Sequence, residues 1–213
     1  MNYRMVGRML SIVLRFVALF MLPAAIISLA LGETAAFYAF LVTMGLMLLL
    51  SLITCAFPPR KQTLYAREGF AVVALTWLML SVLGALPFWL SRAVPSFVDC
   101  LFETASGFTT TGASILTDVE ALPKGLLYWR SFTHWLGGMG VLVFLLAITP
   151  YTSGSGDSLH IMRAESPGPQ VNKLVPHTWQ SARILYLIYI AMTLLELVLL
   201  LVGGMPIFDA VTL

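Results

Sequence analysis

Charge is scarce in this chain. Asp, Glu, Lys and Arg make up 10% of its 213 residues, where soluble domains carry ~25%. Hydrophobic residues reach 59% and the mean hydropathy is +0.92. So little charge excludes a polar coat in water. Lipid as solvent admits only helices and closed barrels. The apolar runs are long and unbroken rather than alternating over ~10 residues, which points to helices.

Cysteine is scarce too. Cys55 and Cys100 lie far apart in apolar segments, without a second Cys or His at metal spacing, and read as small core hydrophobes. His160 and His177 stand in a polar loop and show no ligand spacing either. The net charge of +2 is scattered, with no basic run interleaved with aromatics, which argues against a nucleic-acid partner. Gly-x-Ser-x-Gly, His-Glu-x-x-His and a phosphate-cradling Gly loop ending in Lys-Ser/Thr are all missing, so nothing points to an enzyme or an organic cofactor.

What is present is a series of spans. Leu10 to Leu31 is the first, with Arg4, Arg8 and Arg15 at its start and Pro23 placed to kink it. Its length reads as an anchor rather than a signal core, although Ser28-Leu29-Ala30 resembles a cleavage triplet. Ala35–Phe57, Phe70–Leu90, Leu126–Thr149 and Ile184–Val202 follow. Each approaches the ~20 residues that cross ~30 Å of hydrocarbon. A polar loop, Pro150–Gln180, separates the last two.

Orientation follows from Lys and Arg. With the N-terminus cytoplasmic, the inner side holds Arg4, Arg8, Arg15, Arg60, Lys61, Arg67, Arg163, Lys173 and Arg183. The outer side holds Arg92, Lys124 and Arg130, so the balance is nine against three. Glu33, Asp99, Glu103, Asp118 and Glu120 then lie outside, either as a cation-attracting mouth or as solvated loop charge.

Ser96–Ser106 is too short to cross and too apolar for an open loop, so it reads as a re-entrant helix buried in protein. It ends at a turn rich in hydroxyls, Thr109-Thr110-Thr111-Gly112-Ala113-Ser114. A dehydrated cation needs replacement oxygens, which stacked carbonyls supply. Turning successive carbonyls one way requires alternating ordinary and left-handed backbone, which Gly112 tolerates. The Thr110 hydroxyl adds a further oxygen, and the helix C-terminus directs its negative dipole end at the turn. Phe97-Val98-Asp99-Cys100 recurs in type as Ile207-Phe208-Asp209-Ala210, each after a span and a Pro.

Other polar residues keep two readings. Glu103 either braces filter N–H groups or sits at the rim. Arg130 and His134 either gate and sense pH or anchor the interface beside Trp129 and Trp135. Gly137-Gly138-Met139-Gly140 either lets helices approach or bends the helix. Glu196, the acid well inside a span, is either functional or a structural group held by hydrogen bonds.

The segments SGFTTTGAS (106–114), YWRSFTHWLGGMGVLVFLLAITP (128–150) and RAESPGPQVNKLVPH (163–177) resemble the TrkH/TrkG family of bacterial potassium-uptake proteins, as do REGF (67–70) and GALPF (84–88). The resemblance implies an all-α membrane protein of five transmembrane helices plus one re-entrant pore helix and filter loop, built from helix–pore loop–helix repeats. It implies two extra N-terminal helices in residues 1–66, a first repeat in 67–150, a cytoplasmic loop in 151–180 and the start of a second repeat in 181–213. It places Thr110, Thr111 and Gly112 on potassium-lining positions, with Ala113 as outer neighbour. Ala113-Ser114 stands where potassium channels have Tyr-Gly, which implies looser discrimination against sodium. Potassium uptake across the bacterial inner membrane, a nucleotide-binding TrkA-type cytoplasmic subunit and a homodimer when complete are further implications. Proton or sodium coupling belongs to the wider superfamily, and these residues do not choose between them. The alternative is a non-conducting fragment or assembly module that needs the missing repeats.

Overall fold

The computed structural model describes residues 3–55, 66–138, 140 and 178–212. Its helices are α1 (Tyr3–Phe20), α2 (Leu22–Ala30), α3 (Thr34–Cys55), α4 (Ala66–Leu90), α5 (Phe97–Phe108), α6 (Lys124–Gly138), α7 (Thr178–Val202) and α8 (Ile207–Thr212). The described secondary structure is all helical, as the composition requires of a chain solvated by lipid. Among the described residues, four stretches are long and apolar enough to cross a membrane: Tyr3–Ala30, Thr34–Cys55, Gly69–Leu90 and Ala182–Val202. The protein is a multi-pass membrane protein.

The first span is longer than the apolar run suggests. Arg4 and Arg8, which precede the apolar run in sequence, lie with Arg15 on α1. The helix is interrupted at Met21, and Pro23 opens α2, where its missing N–H removes no needed bond. The remaining corrections are at helix ends. α7 begins at Thr178 rather than Ile184, and α5 ends at Phe108 rather than Ser106. Most of the expected loop at 150–180 and the inner part of the expected span Leu126–Thr149 lie outside the described residues.

α1 packs on α3 and α4, α2 on α3 and α6, and α4 and α6 flank α5. Trp129, Phe40, Phe88 and Phe108 are among the largest fully buried side chains. Trp129 meets Phe40 and Phe108 edge-on, at centroid distances of 6.5 and 6.4 Å. Its indole N–H donates to the Gly84 carbonyl at 3.1 Å, which ties α6 to α4 and satisfies the one polar atom of a buried ring. Glu33, in the turn between α2 and α3, accepts from the N–H groups of Lys124 (2.6 Å) and Gly125 (3.1 Å). It thereby caps the start of α6 with a carboxylate, the charge that end of a helix favours.

Candidate functional site

α5 is held at both ends. Ser96 accepts from the Asp99 N–H at 3.4 Å as N-cap, and Asp99 places negative charge in the first turn. Twelve residues rise only ~18 Å, so α5 does not span. Thr104 Oγ1 donates across to the Ser81 carbonyl of α4 at 2.9 Å. The last turn is clamped by glycines. A Cβ at Gly84 would stand 3.0 Å from the Phe108 ring, one at Gly107 would strike Thr133, and one at Gly137 would strike the Phe108 carbonyl. Gly137 and Gly138 therefore serve close approach, Gly138 against the Tyr189 hydroxyl of α7. Gly140, past the end of α6, has φ +71°, while Met139 lies outside the described residues.

The loop beyond α5 opens with a Schellman motif. The Thr110 N–H donates to the Gly107 carbonyl and the Thr111 N–H to the Ser106 carbonyl, both at 2.9 Å. This pattern places the residue two past the helix in the left-handed region, a position usually held by glycine. α2 and α7 end with the same pair of bonds and use Gly32 (φ +73°) and Gly204 (φ +86°) there. At α5 the position is Thr110, with φ +55°. A β-branched residue in that region is a steric outlier, and such strain clusters at functional sites.

Gly112 is left-handed as well, at φ +74°, with nothing within 4 Å of where a Cβ would stand. Left-handed backbone therefore recurs at alternate residues, Thr110 and Gly112, one of which the sequence pattern identified. Residues 109–115 are exposed. Thr110 Oγ1 donates to the Thr109 carbonyl at 2.7 Å, and Thr109 and Thr111 share a hydroxyl–hydroxyl bond of 2.8 Å. The Ala113 carbonyl accepts from Ser106 Oγ at 2.6 Å, which turns it back toward α5.

Glu103 fixes the far side of the loop. It is 1% exposed. Oε1 accepts from Ser114 Oγ and from the Ile115 N–H, each at 2.6 Å, and Oε2 from Arg130 Nε at 3.0 Å. Of its two readings, the brace is the one realised. Burial pushes its carboxyl up. The hydrogen bonds from Ser114, Ile115 and Arg130, with the Arg130 charge, outweigh that and hold it below the usual carboxylate value. Arg130 thus stands as a strut behind Glu103. No local spacing reveals this contact across 27 residues. His134 stays local, with Nδ1 3.1 Å from the Arg130 carbonyl.

Three of the five acids expected on the outer side are engaged in hydrogen bonds. Glu103 is buried, Glu33 caps α6, and Asp118 Oδ1 accepts from the Glu120 and Ala121 N–H groups as a turn. Glu196 lies exposed on α7, one turn beyond Thr193. Thr193 Oγ1 accepts from the Trp135 indole N–H at 3.1 Å. α8 begins directly after Pro206 with Asp209 in its first turn, as α5 begins after Ser96 with Asp99.

A family described as TrkH, cation transport protein, matches residues 37–207. The potassium uptake protein TrkH of Halomonas elongata is 36% identical over 99% of this chain and 44% of its own length. TrkH of Escherichia coli K12 is 41% identical over 72% of this chain and 32% of its own length. The crystal structure of the potassium transporter TrkH from Vibrio parahaemolyticus superposes on all of this chain and 42% of that one, with TM-score 0.77 and 31% identity. The chain spans less than half the length of these relatives.

Proposed function

This chain belongs to the TrkH family of cation transport proteins, and we propose that it supplies one quarter of a potassium-conducting filter. The observation that carries the reading is the alternation of left-handed backbone at Thr110 and Gly112, in an exposed loop at the C-terminus of a non-spanning helix. Such alternation swings successive carbonyls toward one side, where they replace the water a cation sheds. Thr110, Thr111 and Gly112 are the proposed ligands, with Ala113 as a weaker outer one. Its carbonyl already accepts from Ser106, and this supports fewer good ion sites and looser exclusion of sodium than a channel achieves.

The transported ion enters from the side of the loop that faces away from Glu103. The N-terminus is cytoplasmic and the membrane is the bacterial inner membrane. The polarisation of that membrane drives uptake with ~2.3 kcal/mol per charge per 100 mV, roughly fiftyfold accumulation. Residues 1–66 form an accessory helix pair, 67–150 the first repeat, 151–180 a cytoplasmic loop and 181–213 the opening of the second repeat. A TrkA-type nucleotide-binding subunit meets the cytoplasmic face of the homodimer. One loop offers oxygens from one side, so three further loops are needed around the axis.

The test is potassium uptake in cells that lack their own systems. They express the chain alone, or fused in frame to the part of a full-length relative beyond the match. The fusion restores growth at low potassium and the chain alone does not. A fusion that reaches the membrane yet carries no potassium, or one indifferent to Gly112→Ala, refutes the filter.

A further inference from the structure

Arg15 is an arginine inside a membrane span with no acid beside it. Counting ~20 residues back from Ala30, the hydrocarbon begins near Ser11, so the Arg15 backbone lies ~6 Å inside. Side chains on a helix lean toward its N-terminus, so Arg15 reaches back to that boundary. Its Nη2 lies 3.5 Å from Ser11 Oγ and 3.2 Å from Cys55 Sγ, at the last residue of α3. Nε donates to Ser51 Oγ at 2.7 Å, and Ser51 in turn donates to the Ser11 carbonyl at 3.1 Å. The guanidinium is therefore oriented by a buried serine, while Nη1 has no partner among the described residues.

The charge around it is of one sign. Arg4, Arg8 and Arg15 are all exposed and share a strip roughly 40° wide on α1. Among the described residues the only ion pair is Arg130–Glu103. One turn deeper, Leu19 on α1 and Leu48 on α3 are exposed, at 55% and 44%. An oriented cation fork at the hydrocarbon boundary, above an apolar strip, matches a molecule with an anionic head and an apolar tail.

We propose that Arg15, positioned by Ser51 and assisted by Arg8, binds the phosphodiester of an anionic phospholipid whose acyl chain lies along Leu19 and Leu48. A planar guanidinium with an open edge suits phosphate oxygens, and each basic residue near the surface is worth about fivefold in binding. The site depends on the membrane placement of α1 and α3, not on the filter, so either reading can fail without the other.

The test places the chain in phosphatidylcholine nanodiscs doped with phosphatidylglycerol and counts retained lipid by native mass spectrometry. Wild type retains phosphatidylglycerol over phosphatidylcholine. Arg15→Gln lowers that preference about fivefold, and Arg15→Lys, which keeps the charge, lowers it less. Arg8→Gln, on an exposed turn, also reduces the preference and answers the question should Arg15→Gln fail to fold. The proposal is overturned by a wild type without preference, or by folded Arg15→Gln or Arg8→Gln retaining all of it. Equal displacement by inorganic phosphate overturns the lipid assignment in favour of a plain anion site.

Discussion

Arg130 Nε lies 3.0 Å from Glu103 Oε2, and the other Glu103 oxygen holds Ser114 and Ile115, where the chain leaves the loop beyond α5. One carboxylate thus couples α5, α6 and the loop. All three of its partners are donors, so the arrangement fits the ionised, acceptor-only carboxylate. Removing the charge should loosen the loop first, and the predictions begin there.

Glu103→Gln leaves Arg130, 15% exposed, facing an amide instead of an anion. Breaking a buried pair by removing one partner costs about 3–5 kcal/mol, and residual exposure places this case at or below the lower end. The melting temperature in detergent should fall. Adding Arg130→Leu should recover part of the loss, and a double-mutant cycle without coupling would show that the pair contributes nothing.

The same pair sets an acid limit. The Glu103 carboxyl titrates below its ordinary value in the folded chain. Its contribution is therefore complete above the unfolded carboxylate pKa and is lost as pH falls through the lower folded value. Thermal melts on the acid side should show wild type losing stability more steeply than Glu103→Gln. Parallel curves for the two would contradict this.

Thr110→Gly removes a β-branched side chain from φ +55°. Relief of ~1–2 kcal/mol should raise the melting temperature. The loss of the Thr110 hydroxyl should weaken potassium over sodium selectivity in flux through the full-length fusion. Lowered stability would mean that the side chain contributes more than the strain it introduces.

Gly112→Ala and Gly137→Ala should fail for different reasons. Gly112 has open space but φ +74°, so Asn, which tolerates that backbone, should restore much of what Ala loses. At Gly137 the obstacle is the Phe108 carbonyl, so Ala should part α6 from α5 at about 1–3 kcal/mol, with Asn worse still. Melts of the four variants separate the mechanisms by whether Asn rescues.

Glu33→Ala should destabilise the start of α6 by about 1–2 kcal/mol through loss of its two N–H bonds. Amide exchange at Lys124 and Gly125 should accelerate. Unchanged exchange would mean that Leu122 and Leu126 packing alone holds that end.

Composition and run length determined that the chain is helical and lipid-solvated, because uncharged stretches of ~20 residues have no other stable state. The short apolar segment followed by Thr-Thr-Gly marked the loop, since helix length and glycine's backbone freedom are local properties. Helix ends came out displaced by two to six residues at α5 and α7, because caps and packing, not hydropathy, stop a helix. Three contacts were beyond any local reading: Glu103 with Arg130, Glu33 with Lys124, and Arg15 with Ser51. Each joins residues from separate parts of the fold, and a pairing 27, 91 or 36 residues apart leaves no periodic trace in the chain. The left-handed Thr110 belongs with them. Threonine disfavours that backbone, and the two Schellman hydrogen bonds to the Gly107 and Ser106 carbonyls, at the packed end of α5, hold it there.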